Sequence, residues 1–121
     1  MKDAARLYAN VGMQIAGPRK LEASVLLDAA SRLQAVRDDW NGKKSALDDA
    51  LRYNRRLWTV FMSAVMSNDS PLPVEIRQNV ANLSLFVMKQ TFALICDPKP
   101  ERLGSLININ REIAGGLSAR C

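Results

Sequence analysis

The side chains best suited to chemistry are Arg52, Arg55 and Arg56, the one visible cluster of like charge in the sequence. Guanidinium groups on one face can hold phosphate or carboxylate through paired hydrogen bonds. The same three residues would equally make a solvated helix face. Carboxylates occur as the neighbours Asp38-Asp39 and Asp48-Asp49, but adjacent residues project in different directions from a helix, so neither is a facing pair. There is no histidine, which removes the most versatile acid/base group near neutral pH and the commonest metal ligand. The two cysteines, Cys96 and Cys121, do not have the spacing of zinc ligands. Cys96 also falls at a predicted helix C-terminus, where the dipole disfavours a thiolate. Gly104 is isolated and Gly115-Gly116 falls at a predicted helix end, so no phosphate cradle is present, and no serine stands in a nucleophile elbow. These residues imply no catalytic group, no metal, no cofactor and no small-molecule substrate. They point to binding.

What positions them is a set of helices organised around Ser45 to Met66. Leu47, Leu51, Asn54, Trp58, Phe61 and Val65 recur at steps of four and three, which places them in one narrow helical stripe. Ala46, Ala50, Tyr53, Leu57, Val60 and Ala64 form a second stripe beside it. Together they predict a central helix covered from more than one side. Ser45 with Asp48 reads as a shortened capping box, and Asp48 reaches Arg52 at i,i+4. Asn54 is an amide inside an apolar row. It must find partners or cost on the order of 1–3 kcal/mol, either as a satisfied core amide that fixes register or as a contact to a bound partner.

The remaining periodicities predict an all-α single domain over residues 1–121, a bundle of about five helices at roughly 3–14, 18–40, 45–66, 73–95 and 98–114, with a tail at 117–121. Ala4, Tyr8, Val11 and Ile15 mark the first. Leu26, Ala29, Leu33, Val36 and Trp40, with Val25 alongside, mark the second, where Asp28 and Arg32 pair on the outer face. Pro73 opens the fourth, and Asp97-Pro98 reads as the N-cap and first residue of the fifth. The fourth helix is apolar on two opposite faces: Ile76, Val80, Leu83, Val87 and Leu94 on one, Val74, Ala81, Leu85, Met88, Phe92 and Ile95 on the other. Such a helix is either sandwiched between neighbours or offers one face to a partner.

The 121 residues are 48% hydrophobic and 24% charged, an ordinary globular composition for one domain. No uninterrupted apolar run approaches the ~18 residues of a membrane span, and no basic start leads into an apolar stretch. The expectation is a cytoplasmic protein without a membrane association. A net charge of +5 would suit an acidic partner or nucleic acid, but the arginines are otherwise scattered and the aromatics of a stacking platform are scarce.

The runs ALRYNRRLWTVFMSAV, LPVEIRQNVANLSLFV and LININREIAGGL, in that order, resemble the FlaF family of flagellar biosynthesis regulators. The specific pieces are Ala50 with Asn54, Leu57 and Trp58; then Leu72-Pro73 with Arg77, Asn82, Leu83 and Phe86-Val87. Leu106 to Asn110, leading to Ile113, Ala114, Gly116 and Leu117, complete the set. The resemblance implies a non-enzymatic cytoplasmic protein of flagellated alphaproteobacteria, needed for flagellin production, acting after transcription and opposed by a repressor partner, FlbT. It also implies a link to flagellin itself, as a chaperone-like binder ahead of export. Two classes of function follow: capture of flagellin in an apolar groove, or binding of flagellin messenger RNA through Arg52, Arg55 and Arg56. The spare face of the fourth helix favours the first. Ala81, Leu85, Met88, Phe92 and Ile95 are therefore the expected partner-binding residues, beside a fifth helix expected to dock weakly because it carries Gly104 and Asn110.

Overall fold

The computed structural model describes residues 19–40, 44–67 and 73–118. Every regular element among them is helical: α1 (Arg19–Asp38), α2 (Lys44–Val65), α3 (Val74–Cys96), a 3-10 turn at Pro100–Arg102 and α4 (Leu103–Ser118). The described residues thus hold four α-helices rather than five. The helix expected at 3–14 lies outside them, as does the tail beyond residue 118.

α2 packs between α1 and α3, as its wide apolar arc demands, and α1 makes its largest contact with α4. Leu47, Leu51, Asn54, Trp58, Phe61 and Val65 are all buried, which is the first stripe of α2 complete. The second stripe is only partly used. Ala50 is buried and Tyr53 and Leu57 are half-buried, while Ala46, Val60 and Ala64 are exposed. The described helices packed on α2 cover less of it than a half-circumference arc would need. On α1, Leu26, Ala29 and Leu33 are buried, with Val36 and Trp40 half-buried at its end. Trp58 is fully buried, its ring edge-on to Phe61 at 5.2 Å, and Trp40 is partly buried against the same core. Leu51→Ala, at a position 2% exposed, should cost ~2–5 kcal/mol in a denaturant melt, because it removes packed core atoms.

Several local expectations are corrected. α2 begins at Lys44, so Ser45 lies inside the helix and is not its cap, and Arg52 pairs with Asp49 at 3.6 Å rather than with Asp48. Asp97 is not the N-cap of the last helix. Its backbone N–H closes the end of α3 on the Ala93 carbonyl at 2.8 Å, and its carboxylate holds Lys99 at 3.4 Å and Arg102 at 3.3 Å. The chain then turns through Pro100, and α4 starts at Leu103. α4 also runs through Gly115-Gly116 instead of stopping there. Gly116 is buried, so tertiary packing outweighs the ~1 kcal/mol per glycine that a helix interior loses relative to alanine.

The expected weak docking of the last helix is overturned as well. Leu103, Leu106, Ile107, Ile109, Asn110, Ile113 and Ala114 are all buried. Asn110, expected to loosen α4, is what pins it. Its Oδ1 accepts from Trp58 Nε1 at 2.9 Å, and its Nδ2 donates to Asn54 Oδ1 at 2.7 Å and to the Leu26 carbonyl at 3.4 Å. An indole can only donate, so Trp58 fixes the orientation of the Asn110 amide, and that in turn presents a donor to Asn54. One network of buried polar groups thereby ties α1, α2 and α4 in a single register.

Candidate functional site

α3 owes its position to one of its two apolar faces. Val80, Leu83, Val87 and Leu94 are buried in the core, and Ser84 and Thr91 are buried along the edge nearest α2. The hydroxyl of Thr91 is satisfied within the helix, donating to the Val87 carbonyl at 2.7 Å. Among the described residues the opposite face has no such cover. Val74, Leu85, Phe92 and Ile95 are 70%, 55%, 67% and 49% exposed, four large apolar side chains on one side of a single helix. Met88 is half-buried against the core and Ala81 is half-buried, so the five expected partner-binding residues share one face but differ in how open they are. α4 cannot cover this face, because it is committed to α1 and touches α3 only slightly.

The arginine set divides. Arg52, Arg55 and Arg56 are all exposed, but only Arg52 and Arg55 line the groove between α2 and α3. That groove holds about 300 Å³ and is walled by Lys44, Asp48, Leu51, Arg52 and Arg55 of α2 and by Thr91 and Ile95 of α3. Ile95, an expected partner-binding residue, therefore meets two of the three arginines. Neither periodicity nor charge clustering signals this meeting, because it depends on how α2 and α3 pair. Lys44 is the residue that sequence reasoning missed. It stands one residue ahead of the predicted helix, and once the helix takes it in, its spacing of 8 and 11 from Arg52 and Arg55 puts it on their face.

A second cavity, of about 450 Å³, opens where α1 meets α2, and its lining includes Val36, Trp40, Ala46, Leu47 and Pro98 together with the charged Asp39 and Lys44. Elsewhere along the α1–α2 seam, Asp28 holds Arg32 at 3.2 Å and accepts from the Tyr53 hydroxyl at 3.0 Å, while Arg32 stacks on the Tyr53 ring at 4.1 Å. The hydrogen bonds from Arg32 and then Tyr53 hold the Asp28 carboxyl below its usual value. Desolvation, followed by the hydrogen bond to Asp28, raises that of Tyr53. All three side chains of this seam cluster are used up by one another.

The arginines do little for the fold. Among the described residues the one ion pair they make, Arg52 with Asp49, has side chains 61% and 76% exposed. Changing Arg52, Arg55 and Arg56 together to Gln should shift stability by no more than about 0–1 kcal/mol in a denaturant melt, since solvated ion pairs are worth little.

A family model described as flagellar protein FlaF matches residues 4–117. The chain belongs to the FlaF family. It is thereby a flagellar protein, and the match takes in the helical core, the exposed face of α3 and the groove beside it. No curated protein and no solved structure shows significant similarity to the chain. By length and composition alone, Arg77–Cys96 of this FlaF chain could cross a membrane, with a mean hydropathy of 1.2, and a third of it is buried. Core helices pass the same test, and one face of this one is spent on Val80, Leu83, Val87 and Leu94.

Proposed function

We propose that this FlaF-family chain is a non-enzymatic cytoplasmic binder of flagellin, a chaperone-like regulator that holds the subunit ahead of filament assembly. The observation that carries the reading is the apolar face of α3 that no described residue covers, with Phe92 67% exposed on a helix already anchored through its other face. Single exposed apolar residues are ordinary, but several aligned on one helix suit the capture of a partner's amphipathic helix. Met88, flexible and polarizable at the middle of the face, suits a surface that must adapt to what it takes up. Flagellin fits as the partner because the family is flagellar and a subunit rich in long helices offers such an apolar stripe. FlbT would then oppose this step functionally, without needing the same surface.

The alternative is a regulator that binds flagellin messenger RNA through its basic residues. It has less support, since Arg56 lies outside the groove and Arg52 is already paired with Asp49. Co-purification from the cytoplasm separates the two. Recovery of flagellin, unaffected by ribonuclease, supports the binder. Recovery of RNA, lost steeply with rising salt and without flagellin, replaces it with the regulator of translation.

A further inference from the structure

The apolar face of α3 does not end in neutral surroundings. At its C-terminal end Ile95 forms one wall of the α2–α3 groove, and the opposite wall carries Lys44, Arg52 and Arg55. Three cations there face one carboxylate, Asp48. Among the described residues Lys44 and Arg55 form no ion pair, and Arg52 reaches only the exposed Asp49 beside it on its own helix. The stability of the fold does not use these charges, yet they line one side of the channel into which the apolar face leads. From Val74 to Ile95 that face extends about 31 Å, enough for a partner helix of roughly five turns to lie along it.

We infer that the α2–α3 groove selects and orients its partner by charge: it takes an amphipathic helix whose apolar stripe is edged, at one end, by acidic side chains. The apolar stripe packs on Leu85, Met88 and Phe92, and the acidic edge meets Lys44 and Arg55 beside Ile95. An amphipathic helix has two directions in which its stripe can lie along α3, and apolar contact alone distinguishes them poorly. A basic cluster at one end breaks that symmetry, because only one direction brings carboxylates to cations and the other leaves both unpaired. The groove is open to solvent, so the contact contributes most to encounter and orientation and weakens with salt. The identification of the partner as flagellin rests on the preceding proposal, whereas the charge rule concerns the groove.

The test measures the affinity of the full chain for flagellin and for two synthetic amphipathic peptides of about 18 residues. The peptides share one leucine stripe and carry either Glu or Lys along one edge near one end. The expected result is binding of the Glu peptide about tenfold tighter than the Lys peptide at low salt, with the gap closing as salt rises. Lys44→Glu with Arg55→Glu, at exposed positions and with an unchanged melt, should invert that preference and weaken flagellin binding by a similar factor. Equal affinity for both peptides, or an unchanged preference in the charge-reversed chain, overturns the inference and leaves flagellin capture by α3 standing. Failure of the chain to bind flagellin, with the peptide preference intact, overturns the partner and keeps the charge rule. Binding to vesicles of anionic lipid that is tighter than to either peptide, and that is lost in the charge-reversed chain, overturns it in favour of a membrane surface.

Discussion

Asn110→Ala will destabilise the chain by about 3–5 kcal/mol, more than the loss of a typical single hydrogen bond. The substitution leaves the Trp58 indole N–H and the Asn54 carbonyl buried without their partners, and it opens a space between three helices. Asn54→Ala should cost less, roughly 1–2 kcal/mol. It frees one N–H of the Asn110 amide, but the amide nitrogen still donates to the Leu26 carbonyl at 3.4 Å, and the substitution removes the Asn54 amide N–H₂, which is itself buried without a partner. The double variant should cost clearly less than the sum of the singles, because both remove the same bond. Denaturant melts of the three variants check this. Equal costs for the singles, or additive costs in the double, would mean that the amides do not act as one network.

The second large effect separates the two faces of α3. Val87→Asp puts a charge where the chain is 0% exposed and should leave no folded protein at ordinary temperature. Phe92→Ser, five residues along the same helix and 67% exposed, should leave the melting temperature within a few degrees. Met88→Asp falls between, since Met88 is half-buried against the core, and it should cost some stability as well as partner binding. Thermal melts followed by helix content read all three. Unfolding by Phe92→Ser would show that the outer face is needed by the fold, and with it the availability of that face to a partner would go.

Much of the fold was legible because its strongest signals are periodic. The stripe from Leu47 to Val65 and the one from Val80 to Leu94 are both core, and the amide that interrupts the first was recognisable as demanding an answer. What answers it was not legible. Asn54 and Asn110 stand far apart in the chain, and a lone amide near glycines reads locally as weakness, whereas three-dimensional pairing makes it an anchor. Helix ends went astray for a related reason. Asp97-Pro98 and Gly115-Gly116 carry good local signals for a start and a stop, but Asp97 closes the preceding helix and burial of Gly116 carries α4 onward. The two apolar faces of α3 were visible from spacing, while the decision about which neighbour covers which face rests on α4 turning to α1. The groove that joins Ile95 to Lys44, Arg52 and Arg55 belongs to the same class of fact, a product of helix pairing rather than of any one stretch of sequence.

The most direct measurement is a calorimetric titration of purified flagellin into the wild-type chain and into Phe92→Ser, each shown beforehand to melt cooperatively. The expected result is saturable one-to-one binding to the wild type with a negative heat-capacity change, the mark of buried apolar surface, and no measurable heat with Phe92→Ser. Equal binding by both would place flagellin elsewhere on the chain, and no binding by the wild type would contradict the proposed function itself.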